Sequence, residues 1–193
     1  MIKMRVGVLA LQGDFEKHSD AVKACGADAV EVRMPEDLEL CERLIIPGGE
    51  STTLEILIRR HGLDEAIRER AMQGMPIWGT CMGMILMAKR IQGRDQWSLG
   101  LLDVTIVRNA FGSQVHSFEE RIAFSGLDSP MDAVFIRAPA VVETGGGVAV
   151  LALARGKIVA VGERALLGTA FHPELTPDRR LHQLFLSDHF GNR

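Results

Sequence analysis

The run Met4–Leu11 (MRVGVLAL) is apolar at consecutive rather than alternate positions. Successive side chains of a strand point to opposite faces, so a strand built from this run needs cover on both sides. That demand points to a parallel sheet with helices packed on its two faces. The helices are legible next to it: Phe15, His18, Val22 and Cys25 recur at helical spacing up to Gly26. Ala29–Arg33 reads as a second strand and Arg43–Pro47 (RLIIP) as a third, with the acidic segment Glu36–Glu42 between them. After Gly48-Gly49, Thr52 and Glu55 form a T-x-x-E capping box expected to open a helix through Leu54, Leu57 and Ile58, and a short helix follows over Leu63–Met72. Pro76–Trp78 is another buried strand, ended by Gly79, and Met82–Ile91 returns to a helical pattern.

From Leu102 the texture changes to short strand candidates at Val104–Arg108, Arg121–Phe124, Val134–Arg137, Val148–Leu153, Ile158–Val161 and Leu166–Phe171. Arg155-Gly156-Lys157 reads as a hairpin turn, and Gly145-Gly146-Gly147 as a tight loop. Thr176 followed by Pro177 is expected to cap a last helix through Leu181, Leu184 and Phe185. With 193 residues, 47% hydrophobic and 24% charged, and no linker or repeat, residues 1–193 are expected to form one α/β domain, its mostly parallel, mixed sheet covered by helices on both faces.

A net charge of -3 without a basic stripe, no Tyr and 5% aromatics argue against nucleic acid as a partner. No run of 18 or more apolar residues and no signal-peptide pattern is present, so no membrane association and a cytoplasmic location are expected. Three cysteines without a C-x-x-C pair fit neither a disulfide framework nor a zinc site, and no metal or cofactor is expected.

Gly79-Thr80-Cys81-Met82-Gly83 places a cysteine where a buried strand turns into a helix, the thiol counterpart of the G-x-S-x-G elbow. Glycines suit a strained turn crowded by backbone, and a helix N-terminus favours thiolate. Taken alone, the pattern serves equally a buried structural cysteine between turn glycines. Cys25, closing a helical apolar face, and Cys41, in the acidic segment, read as structural thiols. Phe171-His172-Pro173-Glu174 ends an apolar strand, and Pro173 biases His172 towards an extended backbone, which lets the 172 and 174 side chains share a side. A carboxylate so placed can hold one imidazole nitrogen while the other faces a nucleophile. His18, His61, His116, His182 and His189 lack such company and read as ordinary surface or helix residues. Pro47-Gly48-Gly49-Glu50-Ser51, between strand and helix, offers backbone N–H groups to an oxyanion, although a plain turn or a phosphate cradle uses similar residues.

Together these segments resemble the class I, triad-type glutamine amidotransferases. Within them, Leu9-Ala10-Leu11-Gln12-Gly13, Gly48–Thr53 (GGESTT), Arg108–Gly112 (RNAFG), Phe135–Pro139 (FIRAP) and Phe171–Leu175 (FHPEL) resemble the glutaminase subunits of pyridoxal 5'-phosphate synthases. The resemblance implies Cys81 as nucleophile, His172 as general base and acid, Glu174 as orienting carboxylate, and oxyanion-hole amides at Gly49 and Met82. It also implies that Gly48, Gly49, Glu50, Ser51, Arg108, Ile136 and Arg137 surround L-glutamine, whose α-carboxylate and α-ammonium suit Arg and Glu. Where that family usually has Ala after the nucleophile this chain has Met82, and where it often has Arg after RNAFG this chain has Ser113. The implied reaction releases glutamate and passes ammonia to a synthase subunit. Rival readings are a glutaminase serving another synthase, a γ-glutamyl hydrolase, or a regulatory subunit of the same fold without turnover.

Overall fold

The computed structural model describes residues 3–93, 95–112, 117–187 and 190, without the side chain of Ser51. The first half runs β1 (Arg5–Leu9), α1 (Phe15–Ala24), β2 (Asp28–Val32), α2 (Pro35–Glu39), β3 (Arg43–Ile46), α3 (Ser51–Arg60), α4 (Leu63–Met72), β4 (Ile77–Thr80), α5 (Met82–Met87) and β5 (Ala88–Ile91). The second half runs β6 (Leu102–Val107), β7 (Ser117–Ile122), β8 (Met131–Ile136), β9 (Ala140–Thr144), β10 (Ala149–Ala154), β11 (Lys157–Glu163) and β12 (Leu166–Thr169). A 3-10 turn at Pro173–Leu175 and α6 (Arg180–Leu186) close the chain.

One mixed sheet carries the order β2-β1-β3-β4-β12-β11-β9-β6-β5, with β10 paired to β11. From β2 to β12 neighbours are parallel, and this is the parallel sheet that the apolar runs predict. Every residue of β3 and β4 is buried, so both faces of the sheet are covered there. From β12 through β11 and β9 to β6 the pairing is antiparallel, and β5 joins β6 in parallel. The β7–β8 hairpin forms its own two-stranded sheet and docks through aromatic rings: Phe118 stacks on Phe135 at 4.5 Å, and Phe135 meets Phe171 edge-on at 5.6 Å. The Arg155-Gly156 turn joins β10 to β11 with φ of 48° and 72°, the left-handed pair a two-residue hairpin requires.

Several expectations need correction. The helix expected over Met82–Ile91 stops at Met87, because its six residues are all buried while Lys89 and Arg90 reach solvent and pair with Asp103 from a strand. The Thr52–Glu55 capping box does not form. Glu50 is the cap, its carboxylate accepting the N–H groups of Thr52 and Thr53 at 3.1 and 2.8 Å, and Glu55 pairs with Arg59. A charged acceptor one residue before the helix reaches two orphan donors at once and complements the helix dipole. Thr176 likewise caps nothing: its hydroxyl donates to the Pro173 carbonyl, and α6 starts later, where Asp178 accepts the Arg180 N–H at 3.0 Å. β4 continues through Gly79 to Thr80, and β9 is a strand that the sequence does not announce.

Candidate active site

Three neighbouring parallel strands, β3, β4 and β12, bring the three motifs together. Gly48-Gly49 follows β3, Cys81 follows β4 and His172 follows β12, with Ile46 in register with Gly79 and Thr80 with Thr169. Carboxyl ends of parallel strands in an open α/β sheet are where such folds hold ligands.

Cys81 sits at φ 49° and ψ -106°, outside the regions side chains prefer, and its N–H donates to the Thr169 carbonyl at 2.7 Å. The turn survives because its neighbours are glycines. A Cβ on Gly79 would lie 2.5 Å from the Gly83 carbonyl carbon, and one on Gly83 would overlap the Ile46 carbonyl oxygen. Met82 opens α5 and presents one of the backbone N–H groups that a helix cannot satisfy internally.

His172 is anchored from its backbone, whose N–H donates to the Val134 carbonyl at 2.8 Å. Its Nδ1 lies 2.8 Å from Glu174 Oε1, and both residues are buried. Gly48 packs so close that a Cβ there would come 2.9 Å from His172 Cε1 and 3.4 Å from Cys81 Cβ. Burial works against a charged His172, yet hydrogen bonds to Cys81 and Glu174 outweigh it and push its pKa up to about 10. Burial also opposes the Glu174 anion, but His18 and His172 together hold its carboxyl well below the usual range. Both shifts favour the charged forms, imidazolium on His172 and carboxylate on Glu174.

These groups line a cleft of about 530 Å³. Gly48, Gly49, Glu50, Cys81, Met82 and His172 line it together with Arg108, Ile136 and Arg137. Glu174 stands behind His172 and is not among the lining residues. Arg108 donates to Gln96 Oε1 at 2.6 Å, and the Ile136 carbonyl is 3.8 Å from Cys81 Sγ. Glu50 borders the cleft with its carboxylate engaged as the α3 cap, which lowers its pKa to about 2, while its N–H donates to Gln12 Oε1 at 2.6 Å. Ser51 begins α3, and Ser113 lies outside the described residues. Among the described residues no group of three His, Cys, Asp or Glu side chains is arranged to hold a metal ion, and no helix is long and apolar enough to cross a membrane.

The other thiols behave as structural groups. Cys41 is buried, donates to the Asp37 carbonyl at 3.2 Å, and burial pushes its pKa up to about 11. Burial raises Cys25 as well. The reading of the remaining histidines needs correction. His18 and His182 are fully buried, and His18 Nε2 lies 3.2 Å from Glu174 Oε2. The signal was present: His18 shares the apolar face of α1 with Phe15, Val22 and Cys25, where a surface histidine has no place. His116 and His189 lie outside the described residues.

Comparison with known proteins gives a consistent picture. The SNO glutamine amidotransferase family matches residues 8–190. A protein of Geobacillus kaustophilus named pyridoxal 5'-phosphate synthase subunit PdxT is 51% identical over 184 residues, covering 95% of this chain and 94% of its own length. Its namesake in Roseiflexus is 53% identical over 188 residues, covering 95% of this chain and all of its own. Among solved structures, one described as a glutamine amidotransferase superposes with a TM-score of 0.90 at 49% identity, covering 94% of this chain and 96% of its own. PurLQS from Thermotoga maritima shares the fold, with a TM-score of 0.72 at 17% identity, covering 95% of this chain and 98% of its own.

Proposed function

Because the chain belongs to the SNO glutamine amidotransferase family, we propose that it is the glutaminase subunit of a pyridoxal 5'-phosphate synthase, hydrolysing L-glutamine and handing the ammonia to a synthase subunit. The observation that carries the chemistry is the buried His172–Glu174 pair, 2.8 Å apart, with His172 and the elbow thiol of Cys81 bordering one cleft.

The Cys81 thiolate attacks the side-chain amide carbon of glutamine, and the carbonyl electrons move onto oxygen. The N–H groups of Gly49 and Met82 receive that oxyanion. His172, charged and held by Glu174, gives its proton to the amide nitrogen, which leaves as ammonia and leaves a thioester on Cys81. Neutral His172 then takes a proton from water, the hydroxide adds to the thioester, and Cys81 departs with glutamate released. One water enters and one ammonia leaves. Gly48, Glu50, Ser51, Arg108, Ile136 and Arg137 surround the glutamine, with the guanidinium groups suited to its α-carboxylate.

Residues 1–193 act as one amidotransferase domain, supported by a single apolar core that joins residues from β1 to α6. The cytoplasm is its compartment, where Cys25, Cys41 and Cys81, all free, stay reduced. Unused ammonia wastes glutamine, so docking of the synthase subunit completes the oxyanion site: the Gly48-Gly49 peptides are its moving part. Mixing the purified chain with a synthase subunit and following glutamate release tests this reading. Turnover should rise on mixing, and absence of glutamate in every mixture would remove it.

A further inference from the structure

Two imidazoles that glutamine hydrolysis does not call on are buried against Glu174. His18 comes from α1 and His182 from α6, and neither has any exposed surface. His18 Nε2 lies 3.2 Å from Glu174 Oε2 and 3.1 Å from Thr80 Oγ1, while its Nδ1 lies 3.2 Å from His182 Nε2. Trp78 closes the cluster, its ring 5.9 Å from His18 and 5.0 Å from His182.

The donors in this chain follow from the acceptors. A carboxylate oxygen only accepts, so the His18 Nε2 facing it carries the hydrogen, which is bonded to Thr80 Oγ1, while Glu174 Oε2 makes no hydrogen bond among the described residues and meets the positive N–H edge of the ring at 3.2 Å. With that hydrogen on Nε2, Nδ1 of His18 accepts the N–H on His182 Nε2 at 3.2 Å. The remaining His182 Nδ1 is a bare acceptor, and it has no hydrogen-bond partner among the described residues. Burial, with the nearby charge of Arg179, lowers the His182 pKa to about 3 against the pull of Glu174, which keeps that ring neutral. His172 uses Oε1 of Glu174, and the other oxygen, buried and without a hydrogen bond among the described residues, faces His18 Nε2 at 3.2 Å.

We propose that His18 is a positioning residue for glutamine hydrolysis: it holds Glu174 in the orientation that keeps His172 protonated at Nδ1 and turned to Cys81, with Thr80 and His182 fixing His18 in its Nε2–H form. A carboxylate held by one partner alone swings about its own bonds, and a second N–H from a different helix removes that freedom. The proposal rests on the glutaminase reading.

Two isosteric variants separate positioning from packing. His18→Gln places an amide N–H near the Nε2 position and keeps a polar N–H beside Glu174, whereas His18→Asn places its amide near Nδ1 and takes that N–H away from Glu174 Oε2. In complex with the synthase subunit, H18N should lose about 10- to 100-fold in kcat with KM within about twofold, as when an outer partner of a working imidazole is lost, and H18Q should stay within about threefold of wild type. Equal losses in both variants, or wild-type kcat in H18N, would overturn the proposal. Heavy-nitrogen NMR of the histidines in the unmodified protein decides it without any variant: neutral His18 and His182, each with hydrogen on Nε2, are expected, and hydrogen on Nδ1 of neutral His18 refutes it. Wild-type glutamate release in the same complex is the control on the glutaminase reading. If that fails while the NMR holds, the catalytic reading falls and the His18–Glu174 lock stands.

Discussion

The α-carbon of Gly83 faces the carbonyl of Ile46 across the junction of α5 and β3, with no room for a methyl group between them. This contact sets how close the nucleophile helix lies to the sheet, and so where Cys81 points. Gly83→Ala should therefore destabilise the chain by at least about 2 kcal/mol, since backbone blocks the new methyl and cannot rotate away as a side chain would. Urea unfolding followed by far-UV circular dichroism measures it. A midpoint equal to that of wild type would mean that the elbow adjusts at little cost.

The thiols should differ sharply in reactivity. Cys81→Ala and Cys81→Ser should keep the fold and lose at least about 10³-fold in turnover, the usual consequence of deleting a covalent nucleophile. Cys25→Ser and Cys41→Ser should keep most activity, in line with burial raising both of those thiols. A glutamine-analogue electrophile followed by peptide mass mapping should label Cys81 alone, and label on Cys25 or Cys41 would transfer the nucleophile assignment.

Glu174→Gln should lower kcat more than it weakens glutamine affinity, because the amide holds the ring poorly and does not stabilise imidazolium. The same variant carries a signature in stability. The depressed Glu174 stabilises the fold above its ordinary value of 4.5 and loses that effect as pH falls through its folded value. The raised His172 contributes fully below its ordinary 6.5, and its contribution is lost as pH climbs to about 10. The melting-temperature gap between wild type and E174Q should thus be widest near pH 5 to 6 and shrink towards about pH 10 and below about pH 4. A gap independent of pH, seen by calorimetry, would contradict a charged pair.

The parallel half of the sheet was legible because, past the arginines that open β1 and β3, β1, β3 and β4 are buried on both faces and read as nearly continuous apolar runs. The motifs at Cys81, His172 and Gly48-Gly49 were legible because tight turns restrict which residues fit. What escaped the sequence depended on distant partners. β5 and β9 are strands only because β6 lies between them, and Lys89 and Arg90 carry no period of their own. The Glu50 cap was hidden by the commoner T-x-x-E pattern two residues on. The His18–Glu174 contact needed α1 folded against the turn after β12, 156 residues away in the chain.

Nitrogen from the glutamine amide, released at Cys81, should reach the product of a synthase subunit. The most direct measurement supplies glutamine labelled with heavy nitrogen at its side-chain amide to the assembled complex, with an excess of unlabelled ammonium in solution, and reads the mass of the pyridoxal 5'-phosphate formed. Product should carry the heavy isotope with the wild-type chain and should carry none with Cys81→Ala. Product of ordinary mass with the wild-type chain, made from the ammonium alone, would contradict it.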